Sequence, residues 1–221
     1  MTPPPPLGPV GARPKLIDLR VEPERAITEA AAALRAGGVV LVPTDTVYGL
    51  AALTPDAEAD LFSLKDRPED RSIAVLVADR PAAESLAASV PAALAELMDR
   101  HWPGPLTVVL PRSQTSGPQI GGDRDTVGIR CPDHPWLRSL LSEVGPLATT
   151  SANRHAAPTP PEAHQVLTAI TTATAPGSAE EAGVAAIAVA IDGGPCTGTA
   201  STVVAWSDGK LRVIRQGPLN L

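Results

Sequence analysis

Hydroxyl, amide and basic side chains recur in this sequence just where short apolar runs stop. Thr44-Asp45-Thr46 follows Val39–Val42 and Pro43, Arg130 closes the run Thr126–Arg130, and Ser151-Ala152-Asn153 follows the run 146–150. In open α/β sheets, loops at strand ends are where ligands bind. Hydroxyls and amides placed there can satisfy a small polar molecule. Lys65, Arg67, Arg130 and Arg215 could collect around phosphates or a carboxylate through charge-assisted hydrogen bonds. The set suits the handling of a small anionic substrate. Each residue also has a plainer reading, since a strand-end Thr or Ser could cap a helix and a lone Arg is commonly a solvated surface charge.

Several other chemistries lack their residues. No Gly-rich loop ends in the Lys-Ser/Thr of a P-loop, no kinase Gly-loop is present, and no Gly-x-Ser-x-Gly elbow supports a serine hydrolase. His101, His134, His155 and His164 have no metal-ligand spacing, and Cys131 and Cys196 are too few for paired zinc ligands or a disulfide framework. Spacing alone therefore implies an anion-binding domain without specifying a reaction.

The elements that must position these residues follow from hydrophobic periodicity. Ala26, Ile27, Ala30, Ala33 and Leu34 predict a helix over 23–36, stopped by Gly37-Gly38. Val39–Val42 is a continuous aliphatic run suited to a strand covered on both faces, and Pro43 ends it by removing a ladder donor. Helices are predicted over 56–65, with Asp56 as N-cap, and over 81–89 and 91–100. Further strands are predicted at 73–77, 106–110, 126–130, 146–150, 186–191, 201–205 and 211–214. This alternation favours one mixed α/β sheet, with 171–183 as a surface insertion.

Composition narrows the function classes. With 221 residues and 43% hydrophobic side chains, the chain is long enough to bury a core as one domain. Aromatic residues make up 2%, which excludes base stacking on aromatic platforms as a major binding mode. The net charge of −6 argues against broad adhesion to nucleic acid, while leaving room for a local basic cleft. Residues 1–14 are Pro-rich with no apolar h-region and read as a disordered leader to a domain over 15–221. No apolar run reaches the ~20 residues of a membrane span, so the cytoplasm is the expected location.

Eight strings then carry a resemblance. GVVLVPTDTVYGL at 38–50 resembles the opening signature of the YrdC family. Lys65-Asp66-Arg67-Pro68 resembles its Lys-x-Arg element, and WPGPLT at 102–107 its Trp-Pro-Gly-Pro-Leu-Thr element. TVGIRCP at 126–132, SAN at 151–153, DGG at 192–194, STVV at 201–204 and IRQG at 214–217 follow in family order, so that the resemblance runs from about 26 to 217.

The resemblance implies a single α/β domain, a twisted mixed sheet flanked by helices with an open basic cavity, in the short bacterial form. It implies an L-threonylcarbamoyladenylate synthase, a nucleotidyltransferase using L-threonine, bicarbonate and ATP with Mg²⁺ bound mainly through the ATP phosphates. The product would serve threonylcarbamoyladenosine modification of tRNA at position 37, with a downstream transferase complex as a further expected partner and tRNA itself as another. Carried over by residue, Lys65 and Arg67 are catalytic. Thr44, Arg67, Arg130 and Ser201 hold threonine, and Lys65, Arg71, Thr126, Ser151, Asn153 and Arg215 hold ATP. No protein-ligated metal is expected. Tyr48, Trp102 and Pro105 read as packing and turn residues, and Asp192 as a turn former, with a place near the magnesium as its alternative.

The chain departs from the family pattern at Arg71-Ser72, at Leu76, where some relatives place a His, and at His155-Ala156, which replaces a Ser-Gly. Two other readings compete. One is a carbamoyl-adenylate enzyme with a different donor, whose usual zinc-finger companions two cysteines cannot build. The other is a non-catalytic protein binding tRNA or double-stranded RNA, distinguishable by salt-sensitive RNA binding without ATP turnover.

Overall fold

A computed structural model describes residues 14–64, 72–113, 118, 120–153, 157–171 and 186–221. Its elements are β1 (Lys15–Asp18), α1 (Pro23–Arg35), β2 (Val39–Val42), β3 (Gly49–Ala52), α2 (Pro55–Ser63), β4 (Ala74–Leu76), α3 (Arg80–Leu86) and α4 (Ala92–His101), followed by β5 (Leu106–Pro111), β6 (Thr126–Arg130), α5 (Pro135–Val144), β7 (Leu147–Ser151), α6 (Ala163–Thr171), β8 (Ile187–Asp192), β9 (Thr202–Ser207) and β10 (Lys210–Arg215). The strands form one sheet in the order β1-β8-β2-β3-β7-β4-β6-β5-β9-β10. It is mixed, as expected: β8 pairs in parallel with β1 and β2, β6 with β4, and β9 with β5, while the other neighbours are antiparallel.

Helix α1 stops as its glycines predict. Gly37 takes φ +83°, its N–H bonds the Leu34 carbonyl and that of Gly38 bonds the Ala33 carbonyl, which closes a Schellman motif. The cap of α2 differs from the expectation. Thr54, in extended conformation, accepts from the Ala57 N–H at 3.4 Å, because Pro55 occupies the first helical position and places Asp56 inside the first turn. Helix α5 was not among the predicted elements, yet it carries full signals: His134 as cap, Pro135 behind it, Trp136, Leu137, Leu140 and Leu141 buried, and Gly145 at φ +90°. The leader residues 1–13 and most of the 171–183 insertion lie outside the described residues.

Period-two alternation divides the strands between two cores. On one face Leu41, Leu50, Val75, Val108, Ile129 and Ala148 pack with residues of α2, α3, α4 and α6. On the other, Val40, Val42, Ala51, Val189 and Ile191 pack under α1 and α5, and Leu76 and Leu147 form the last apolar positions of that layer. This second layer takes no residue from β5, β6, β9 or β10. The sheet thus continues past its helical cover, and a cavity forms on the uncovered side.

Candidate active site

The cavity encloses about 390 Å³. Its rim begins at the loop after β2, which a side chain closes. Thr44 Oγ1 accepts from the N–H groups of Thr46 (3.0 Å) and Val47 (3.1 Å) and donates to the Val47 carbonyl (2.6 Å). This is a hydroxyl-closed turn of the kind Thr forms when Pro has just ended a strand. The Gly198 N–H bonds the Thr46 carbonyl at 2.9 Å, and a Cβ at 198 would stand 2.7 Å from that oxygen. Only glycine lets the two backbones approach this closely.

Arg130, the last residue of β6, reaches under the loop. Its Nε donates to the Gly104 carbonyl (3.1 Å), Nη1 to Thr46 Oγ1 (2.9 Å) and Nη2 to Asp45 Oδ1 (2.5 Å). Burial pushes its guanidinium pKa down and the Asp45 carboxylate opposes that shift, so the fork stays charged. Three of its five N–H groups hold these partners; the guanidinium lines the cavity.

The opposite wall comes from β5, β9 and β10. Thr107 and Ser201 hydroxyls are 2.8 Å apart, and Arg215 donates from Nη2 to Ser201 Oγ (3.0 Å) and from Nε and Nη2 to the Ser201 carbonyl (3.1 and 2.9 Å). Arg215 reaches this position because the ladder slips between Val213 and Arg215, leaving Ile214 as a bulge that re-aims the next side chain. The floor is β7 and β6. Ser151 Oγ donates to Asn153 Oδ1 at 2.5 Å, Asn153 Nδ2 donates to the Ala157 carbonyl, and Thr126 Oγ1 donates to Asp123 Oδ2 at 3.1 Å.

Of the residues singled out by sequence, Thr44, Thr126, Arg130, Ser151, Ser201 and Arg215 all line this cavity, drawn from three strands (β6, β7 and β10), the loop after β2 and the residue just before β9. Asn153 stands behind Ser151. Lys65, Arg67 and Arg71 lie outside the described residues, as do His155 and Ala156, while Ser72 and Leu76 line the cavity. Sequence reasoning passed over Thr107, Thr149 and Thr150, which also line it. A signal existed for Thr149 and Thr150: they stand directly before Ser151 at the end of β7, in a run of three hydroxyl residues.

Of the residues read as packing, Tyr48 also lines the cavity. Tyr48 is fully buried, its hydroxyl donating to the Gly194 carbonyl (2.8 Å) and accepting from the Gly193 N–H (3.1 Å), and burial pushes its pKa up, so it keeps its proton. Trp102 Nε1 donates to the Leu106 carbonyl at 2.7 Å. Asp192 Oδ1 accepts from the Gly194 N–H at 2.8 Å, an Asx turn. Among the described residues no group of three His, Cys, Asp or Glu could hold a metal ion. No acidic residue stands among the described lining residues, so the cavity offers cationic and hydroxyl groups to an anion.

Three comparisons bear on this site. The family model Sua5_yciO_yrdC, described as telomere recombination, matches residues 32–217. A Bacillus subtilis (strain 168) protein named threonylcarbamoyl-AMP synthase is 37% identical over 196 residues, covering 86% of this chain and 53% of the relative. A Mycobacterium tuberculosis (strain ATCC 25618 / H37Rv) protein given the same name provisionally is 37% identical over 199 residues, covering 89% of this chain and 86% of the relative. The chain therefore spans about half the length of the first and most of the second. The fold superposes on P. abyssi Sua5 complexed with L-threonine with a TM-score of 0.79 at 34% identity, covering 94% of this chain and 58% of that one.

Proposed function

The chain belongs to the Sua5/YciO/YrdC family, and from that membership we propose that it is a threonylcarbamoyl-AMP synthase, joining L-threonine, bicarbonate and ATP with release of pyrophosphate. The observation that carries this reading is the cavity itself. Hydroxyls from Thr107, Thr126, Ser151 and Ser201 face a space bounded by the guanidinium groups of Arg130 and Arg215, with no acidic lining residue among those described.

The chemistry asks for little more than position and positive charge. Threonine's amino nitrogen and bicarbonate form a carbamate with loss of water. A carbamate oxygen then bonds to the α-phosphorus of ATP, while the bond from that phosphorus to the bridging oxygen breaks and pyrophosphate leaves with the electron pair. Both reactants are anions, so the protein's task is to hold them in line and offset charge on the leaving group. In this proposal Ser201, Arg130 and the turn closed by Thr44 form the threonine end with Arg67. Thr126, Ser151, Asn153 and Arg215 form the nucleotide end with Lys65 and Arg71, and Lys65 and Arg67 meet the reacting groups. Mg²⁺ enters as part of the ATP substrate.

A product of this kind is an activated acyl-phosphate anhydride, suited to transfer of its threonylcarbamoyl group onto tRNA by a separate transferase. Among the described residues no helix is long and apolar enough to cross a membrane, and the cytoplasm is the proposed site of action. The test is pyrophosphate release by the purified protein with ATP, Mg²⁺, bicarbonate and threonine, omitting each in turn. Release is expected to require both threonine and bicarbonate, and to fall at least a hundredfold in Lys65→Ala and Arg67→Ala, as for loss of a charge-stabilising group. Threonine-independent release would replace threonine by another donor. RNA binding without turnover would overturn the enzyme reading.

A further inference from the structure

The last residues of the described chain fold back onto β9, and the side chain that fastens them has no place in the catalytic scheme above. Thr202 is fully buried beside Ser201. Its Oγ1 accepts from the N–H groups of Gly217 (3.1 Å) and Leu219 (3.0 Å) and donates to the Leu219 carbonyl (3.4 Å), while its own N–H bonds the Pro105 carbonyl at 2.9 Å. Gly217 lies so close that a Cβ there would stand 2.3 Å from the Thr202 nitrogen and 2.5 Å from the Ser201 carbonyl carbon. Ser201 and Thr202 thus grip the same short stretch at two points. Ser201 takes the Arg215 guanidinium on its carbonyl and hydroxyl, and Thr202 takes the backbone two residues further on.

We propose that Thr202 is a positioning residue for Arg215, its hydroxyl anchoring the strap 216–219 so that the guanidinium is held on Ser201 and faces the cavity. Among the described residues β10 is the outer strand of the sheet and has β9 as its single strand neighbour, and it carries a bulge immediately before Arg215. The ladder alone therefore leaves the end of β10 weakly determined, and the strap supplies the missing constraint. A long, exposed arginine recruited to a phosphate from many conformations binds less well than one already oriented. This inference rests on the synthase reading, in which Arg215 serves the nucleotide.

The experiment measures KM for ATP, KM for threonine and kcat in the whole protein for Thr202→Val, Thr202→Ser, Arg215→Ala and the Thr202→Val/Arg215→Ala double variant. Loss of the anchoring hydroxyl is expected to raise KM for ATP by about tenfold with kcat and KM for threonine nearly unchanged. Thr202→Ser restores it, and Thr202→Val adds nothing once Arg215 is gone. If Thr202→Val does not fold, Leu219→Pro, which removes a strap N–H donor to Thr202 Oγ1 while keeping the hydroxyl, is expected to give the same rise. A full additional loss in the Arg215→Ala background, or an unchanged KM for ATP in either folded strap variant, would overturn the proposal. Wild-type protein that releases no pyrophosphate would instead sink the synthase reading, and calorimetric ATP binding then carries the same comparison.

Discussion

Nη1 of Arg130 lies 2.9 Å from Oγ1 of Thr46, a residue 84 positions away in the chain, and the same guanidinium meets the carboxylate of Asp45. The end of β6 thereby clamps the loop that follows β2. Arg130 is buried and Asp45 is part-buried, with 7% and 13% exposure.

Breaking that pair from one side leaves the other charge stranded. Arg130→Ala is expected to cost about 3–5 kcal/mol of stability, read from urea unfolding. Asp45→Ala is expected to cost a comparable amount. Arg130→Lys keeps the charge without the planar fork, so it is expected to retain part of the stability while raising KM for threonine.

Gly198 sits over the same loop, and its missing side chain is what allows the 2.9 Å bond to the Thr46 carbonyl. Gly198→Ala is expected to push the strand-end loop away from Arg130. Threonine-dependent kcat/KM should fall by about tenfold or more, the scale of one lost buried hydrogen bond. Ala at Gly209, where a Cβ meets nothing within 4 Å but φ is +72°, is expected to change stability and leave KM alone.

His134 caps α5 by accepting the Leu137 N–H on Nδ1 at 3.3 Å, a role that requires the neutral ring at that nitrogen. Burial lowers its pKa from the ordinary 6.5, with Asp45 and Asp133 opposing. A histidine with a depressed folded pKa binds more protons when unfolded. Its contribution is therefore fully present above about pH 6.5 and is lost as pH falls from there through the folded value. Thermal unfolding between pH 8 and pH 5 should show this decline. His134→Asn, which keeps a capping acceptor that does not titrate in this range, should flatten it.

Much of the local structure was legible from residue order. Gly37-Gly38 had to end α1, Pro43 had to end β2, and the Thr, Ser and Arg residues clustered at strand ends marked the cavity side of the sheet. Helix α5 carried its signals, in His134, Pro135 and the spacing of its Trp and Leu residues, but was not among the elements predicted from them. β3 was not. Gly49–Ala52 contains no β-branched residue, and it becomes a strand because its register with β2 and β7 fills both edges.

What the sequence by itself determined, then, was which residue types stand at strand ends and how each element starts and stops, because caps, turns and alternation act over a few residues. The tertiary structure alone decided which of those groups meet. Thr107 and Ser201 pair across 94 positions because β5 and β9 run parallel side by side, and Arg215 turns to them because a bulge interrupts β10. The cavity exists where it does because α1 and α5 leave β5, β6, β9 and β10 uncovered on one face. Such facts depend on strand order and on how far a helix layer extends, and no local pattern encodes either.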